Sequence, residues 1–501
     1  MTGSIGPRPA RPQDRPFIRN SMVADALIDP EERARIGFPG SDQEPLPVVV
    51  ELNLEHAGGL TKASEVFEEE WRSVTDATAV RIADTYYRGM MSVDDVRELC
   101  RIDLEHAEPK RRAIYRIWPD FPVEPLIDRS VTTVKGDAAS RAYDAAGRGI
   151  TWAVIDSGID EEHPHFRDVL DGDVAELHRD FTKEVPDVAG ALVDDFGHGT
   201  HVAGIISGGL PPDTAHVVGE YQFDPAHPRT GRLQQRAVES PRLLHGVAPL
   251  TKLVSLKVLD GEGRGSSMNI VRALEYVRKE LNGQSKLMRV QGVNLSVGYE
   301  FDAAWFACGQ SPLCVEVDRL VRSGVVVVVA AGNTGYAVLN STQRQTKVGV
   351  PMTINDPGNA RLAITVGATH RYMPHTYGVS YFSSKGPTGD GRSKPDLVAP
   401  GERITSCAAG RNKKPLLELL GAPPGDAAAG RCALYVEDSG TSMAAPHVSG
   451  AIAAFLSIRQ EFIGQPEEVK RIFCQSATSL DRETYFQGRG LVDIMRAIQS
   501  V

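Results

Sequence analysis

Little in this sequence suits a membrane. Its longest uninterrupted apolar run, residues 325–331, falls far short of the ~20 residues that a spanning helix takes. No membrane span is expected. The N-terminus opens polar, with Pro7, Pro9, Pro12 and Pro16 set among Arg8, Arg11, Arg15 and Arg19. It lacks an apolar stretch ending in a small-residue cleavage site, so no signal peptide is read and a cytoplasmic location is the expectation. Cationic excess is missing too. Lys and Arg number 55 against 65 Asp and Glu, a formal charge of −10 and the wrong sign for a nucleic-acid footprint. Cysteine is sparse, with Cys100, Cys308, Cys314, Cys407, Cys432 and Cys474 in 501 residues. Without an export signal, free thiols are expected. Cys308/Cys314 and Cys407/Cys432 are the pairs to test for bridges, because each brackets a short loop or insertion.

What is present is the balance of an ordinary globular protein, 41% apolar and 24% charged, in a length that suits two to four domains. The Pro- and Arg-rich residues 1–45 read as a flexible leader. From 46 to 122 the pattern tightens into strand 47–52, helix 60–74, strand 86–91, helix 92–104 and strand 113–118. Ser92, followed by Asp94 and Asp95, gives the second helix an N-cap and a negative first turn. A small α+β unit of ferredoxin-like type fits. Residues 123–135 read as a polar linker or processing region, and 136–501 as one large domain.

In that domain short β-rich runs recur at 150–155, 253–258, 290–295, 325–331 and 362–366, with helices such as 268–281 and 314–322 between them. Strands this continuously apolar are covered on both faces, which predicts an α/β fold with a parallel sheet flanked by helices. In such folds reacting groups gather beyond the carboxyl ends of the strands.

Three short segments carry chemistry. Asp156 ends the apolar run Ala153-Val154-Ile155, where a strand gives way to Ser157-Gly158; a lone Asp there is most often a turn residue. His198 stands between Gly197 and Gly199 at a helix start, where a capping histidine or a metal site with His201 is the plainer reading. The metal reading is weak, since no Glu lies between the two as in a zinc-protease helix. Ser442, in Gly440-Thr441-Ser442-Met443-Ala444-Ala445-Pro446, opens an apolar helix, a place where serine usually caps. Together they mean more. A serine hydroxyl becomes nucleophilic when a neutral imidazole takes its proton, and the imidazole needs a carboxylate to fix its tautomer. An α/β-hydrolase elbow would need Gly two positions after the serine; Ala444 stands there.

The segments 154–160, 198–204 and 440–446 resemble the three signatures of the subtilisin family of serine proteases, in that family's chain order, and the resemblance runs from about 131 to 497. It implies a serine endopeptidase working through Asp156, His198 and Ser442. The position of Asn333, after the valine-rich strand, implies the side-chain donor of an oxyanion hole. Gly263 and Gly265 on one side, and Ser296, Val297 and Gly298 on the other, are similar to the edges that pair with substrate backbone. Ala331 and Gly332 would wall the pocket for the residue before the cut. Asn355 and Asp356 could favour a basic side chain there or cap the turn before Pro357-Gly358. Asp194 and Asp195, near His198, read as solvated or helix-capping.

Residues 209–245 and 408–434 read as insertions. The first stands where compact members carry a calcium loop, so structural calcium is possible but no site is assignable, no metal ligand is named and no cofactor is required. The expected partners are a peptide or protein substrate and the chain's own N-terminal domain. By position and element order the 46–122 unit resembles the family's propeptide, an intramolecular inhibitor. A permanent substrate-recruiting module is the alternative, and an inactive binding protein on the same fold a third reading.

Overall fold

The computed structural model describes residues 23, 25–30, 33, 38–119, 129–212, 214–222, 232–238, 243–283, 287–302, 304, 306–340, 345–420 and 432–501. The chain divides into two units, Met1–Glu124 and Pro125–Val501. Most of the leader and residues 123–128 of the linker lie outside the described residues, as do parts of both insertions.

The first unit runs β1 (Leu46–Leu52), α1 (Gly59–Val74), β2 (Val80–Ala83), β3 (Tyr86–Met91), α2 (Val93–Leu104) and β4 (Ile114–Pro119). Its antiparallel sheet has the order β2-β3-β1-β4, a ferredoxin-like arrangement. Alternation explains the packing: Leu46, Val48, Val50 and Leu52 of β1 are buried against Phe67 and Trp71 of α1 and Val96 and Leu99 of α2. Ser92 closes a reciprocal capping box with Asp95. The described part of the predicted leader is not irregular. Val23 and Leu27 join this core, and Arg33 is fully buried, donating to the carbonyls of Leu27, Ile28, Pro39 and Gly40 and to Asp42. A guanidinium with every donor used can be buried where a lysine could not.

The second unit is built on a seven-stranded, wholly parallel sheet, as the apolar runs predict. Its strands are β5 (Thr151–Asp156), β6 (Arg179–Asp180), β9 (Lys252–Lys257), β10 (Gly292–Leu295), β11 (Val326–Ala330), β14 (Ile364–His370) and β15 (Leu397–Glu402), in the order β15-β14-β11-β10-β5-β9-β6. Successive side chains feed opposite cores. Trp152, Val154, Val326 and Val328 pack on one face with the helix Thr441–Ile458, while Ala153, Ile155, Val327 and Val329 pack on the other with Ser267–Tyr276 and Pro312–Arg322. After β9 the chain crosses β5 and continues on its far side, which opens a crevice at the strands' carboxyl ends. The helix Thr441–Ile458 has the length and apolarity of a membrane span, but 83% of it is buried, so the core accounts for its composition.

The first insertion holds two strands that the sequence reading missed, and two more flank the second. β7 (His216–Gln222) and β8 (Arg232–Arg236) join β16 (Ile404–Cys407) and β17 (Ala433–Asp438) in a second sheet, β16-β17-β7-β8. Glu220 and Glu437 bind Arg371 and Arg403 across it, with Arg371–Glu220 at 2.8 Å and Arg403–Glu437 at 3.1 Å. A hairpin of β12 (Tyr336–Asn340) and β13 (Gln345–Gly349) was likewise not anticipated. All six cysteines are free.

Candidate active site

The crevice at the sheet's carboxyl end is a cleft of about 440 Å³. Asp156 is the last residue of β5 and is 1% exposed. Its Oδ1 accepts from the Ser157 N–H at 2.8 Å and from His198 Nδ1 at 2.7 Å. A carboxylate can only accept, so Nδ1 carries the proton and the neutral ring's free lone pair sits on Nε2. Burial disfavours the imidazolium, but the nearby Asp156 charge and its hydrogen bond outweigh that and hold the His198 pKa above its ordinary value, with Asp438 and Asp194 adding to the effect.

His198 opens the helix His198–Ile206. Gly197 precedes it at φ 92°, and a β-carbon there would stand 2.3 Å from the Ala409 carbonyl oxygen, so only glycine fits. Asp194 holds this turn. One of its oxygens accepts from Gly197 N–H (2.7 Å) and Ser157 Oγ (2.8 Å), the other from Thr200 N–H (2.8 Å) and Oγ1 (2.7 Å). Ser157 Oγ in turn accepts from the Gly199 N–H. Asp194 is thus buried and caps the helix, while Asp195 is exposed.

Ser442 is the second residue of the helix Thr441–Ile458. Pro446 lies inside that helix and has no N–H to offer the Ser442 carbonyl, which instead accepts from Ser296 Oγ at 2.9 Å. Ser442 Oγ donates to the Ser296 carbonyl, also at 2.9 Å. The hydroxyl therefore has to leave this carbonyl to reach His198 Nε2. Asn333 Oδ1 accepts from both the N–H (2.9 Å) and the Oγ1 (3.0 Å) of Thr441. A backbone N–H has no other role to play, so the amide orientation is fixed and its NH₂ is left for the cleft.

His198, Ser442, Asn333, Gly263, Gly265, Ser296, Val297, Gly298 and Gly332 all line the cleft. Ala331 is fully buried, and Ala330 beside it takes the place on the wall. Leu259, Ile270, Val297 and Tyr299 add apolar surface to a lining that also holds Ser266, Ser267, Thr334 and Thr441. Asp356 reaches the lining but is 1% exposed; its Oδ1 accepts from Asn359 Nδ2 (2.8 Å), and Asn355 Oδ1 accepts from Thr334 Oγ1 (2.9 Å). Asp356 is engaged in the turn, and Asn355 with the loop that carries Asn333. Among the described residues, no group of three or more His, Cys, Asp or Glu is arranged to hold a metal ion. Thr441 and Ser157 are contacts of these residues that sequence reasoning left unassigned, whereas Asp194 takes the helix-capping alternative given for it.

The family model of the subtilases matches residues 147–490. The chain belongs to that family. Curated relatives agree. This subtilase is 27% identical over 391 residues to serine protease AprX of Bacillus subtilis, covering 77% of this chain and 74% of AprX. It is 28% identical over 370 residues to subtilisin E of the same organism, 74% of this chain and 70% of that one. To pyrolysin of Pyrococcus furiosus it is 29% identical over 350 residues, 61% of this chain but 21% of pyrolysin's length. The chain is a serine endopeptidase by family.

Proposed function

We propose that this subtilase cuts peptide bonds with Ser442 as nucleophile, His198 as general base and Asp156 as the carboxylate that orients and charges the base. Ser442 Oγ attacks the scissile carbonyl carbon while its proton passes to His198 Nε2. The imidazolium then gives that proton to the leaving amine as the C–N bond breaks. Water, deprotonated by the same ring, releases the acyl group. Asn333 Nδ2, with the Ser442 N–H, meets the oxyanion at each tetrahedral stage. Because charge appears on that oxygen only as the carbon rehybridises, a pre-aimed donor lowers the barrier without tightening substrate binding.

The observation that carries this reading is the 2.7 Å hydrogen bond from His198 to buried Asp156, on the wall of a cleft that also holds Ser442 and the Asn333 amide. The glycine-rich edges at 263–265 and 296–298 suit an extended peptide laid in as an added strand. Neither a cofactor nor a metal takes part in any step, and the substrate is a peptide or protein.

The N-terminal unit, in this reading, is an intramolecular inhibitor that the enzyme removes. Its β-α-β-β-α-β order supports that role; permanent substrate recruitment is the other use it could serve. The test of the main reading is hydrolysis of an internally quenched peptide. Wild type should cleave it, and Ser442→Ala and His198→Ala should each lose at least ~10⁴-fold in kcat. Cleavage at wild-type rate by either variant would refute the assignment.

A further inference from the structure

Lys385 is 4% exposed and has no carboxylate partner among the described residues. All three donors of its ammonium go to backbone carbonyls: Ser383 at 2.8 Å, and Gly335 and Tyr381 at 3.0 Å each. A buried lysine is ordinarily paired with an acid, because carbonyl dipoles repay only part of the lost hydration. This one is held as a bound metal ion would be, in a cage of oxygens. Gly335 is two residues from Asn333. A β-carbon at Gly335 would stand 1.9 Å from the Ser383 carbonyl oxygen and 2.5 Å from Lys385 Nζ, so the cage closes only around glycine.

The cage belongs to a wider clamp. Segment 380–386 grips the loop that carries Asn333: Ser384 N–H donates to the Gly332 carbonyl (2.9 Å), Thr334 N–H to Ser384 Oγ (3.1 Å) and Gly335 N–H to the Phe382 carbonyl (2.9 Å). Every one of these contacts except those of Lys385 is a neutral hydrogen bond. The ammonium is therefore the single charged fastening of the loop among the described residues.

We propose that Lys385 is a positioning residue for the oxyanion hole, its ammonium acting as a built-in cation that sets where Asn333 stands. The inference rests on Asn333 being the oxyanion donor. A neutral amine keeps two N–H groups and turns a lone pair toward the third carbonyl, so loss of the proton opens the cage. Burial draws the Lys385 pKa down to about 8, within reach of an alkaline assay. The titratable groups on the elements packed around it are Tyr336 and Lys347 of the β12–β13 hairpin, Tyr381 of its own segment and Tyr485 beside Gly386. Phe486 presents its ring 5.5 Å from Nζ.

The test compares wild type, Lys385→Met, Lys385→Arg, Asn333→Ala and the Met/Ala double variant, reading kcat, KM and the inhibition constant of a peptide boronic acid across pH. Asn333→Ala should lose ~10²–10³ in kcat with KM little changed. Lys385→Met should lose roughly tenfold or more in kcat and in boronate affinity, again at constant KM. The double variant should be no worse than Asn333→Ala, because the two act as one unit. The ratio of wild-type kcat to that of Lys385→Arg should fall above about pH 8, because the rise that follows deprotonation of His198 is common to both while only the lysine loses its charge there. An Asn333→Ala loss with Lys385→Met unaffected would overturn this inference alone. Full activity in Asn333→Ala would overturn the oxyanion reading and this inference with it. Should Lys385→Met fail to fold, a ratio of wild-type to Lys385→Arg kcat that stays flat across that range is the overturning result.

Discussion

At Asp156 one oxygen does the visible bonding and the other is left bare. Oδ1 serves Ser157 and His198, whereas Oδ2 is buried without a hydrogen-bond partner among the described residues. An uncompensated carboxylate charge is costly to bury, and its nearest outlet is the His198 ring. This predicts the effect of Asp156→Asn. The amide removes the charge that raises the His198 pKa, so the ring holds its proton less firmly. His198 must be neutral to act as a base, and activity falls as pH drops through its pKa. The acid limb of kcat/KM should therefore move to lower pH in Asp156→Asn. The plateau should meanwhile fall by ~10⁴, since Asn can leave the ring in the wrong tautomer. A limb that stays in place would mean the Asp156 charge does not tune His198. Neither residue was marked as chemistry by its local setting, where Asp156 reads as a turn residue and His198 as a cap; the reading came from the three segments taken together and from their resemblance to the subtilisin signatures. Lys385 was not legible at all. Its carbonyl partner at Gly335 is 50 positions away, and nothing local marks an ammonium that will be buried.

Among the elements, the helix His198–Ile206 depends on a residue outside it. Asp194 satisfies two backbone N–H groups and two hydroxyls at its start, work that a helix terminus otherwise leaves to water. Asp194→Ala should destabilise the catalytic domain by about 3 kcal/mol, on the scale of several buried donors left unmet. Kcat should fall with it, and Asp194→Asn should recover part of both. Thermal unfolding beside kinetics checks this, and an unchanged midpoint in Asp194→Ala would contradict it. Element order was read well where strands are long and apolar. It failed at β2, four residues of which Val80 and Ile82 are exposed, because a short solvated edge strand leaves no apolar run. The β7–β8 and β16–β17 sheet failed for a different reason. β7 and β8 lie inside the segment 209–245 that reads as an insertion, where Glu220 of β7 pairs with Arg371 and Arg403, and β16 and β17 are short runs either side of the second insertion.

At the scale of the whole molecule, two units share one chain, and the N-terminal one has the order of elements that suits an inhibitor. The proposed release is a reaction of the chain on itself, with the scissile bond tethered and so at a high effective concentration. Wild type should shorten by a cut between residues 121 and 134, and Ser442→Ala expressed beside it should remain full length by intact mass. An active wild type that keeps all 501 residues would favour the recruiting role instead. Beneath that question lies the claim on which the account turns, that Ser442 is the hydroxyl His198 activates. Reaction with a fluorophosphonate, followed by digestion and mass spectrometry, reads it directly. The account predicts one adduct, on Ser442, absent from Ser442→Ala and strongly reduced in His198→Ala; an adduct on another serine, or full labelling of Ser442→Ala, would contradict it.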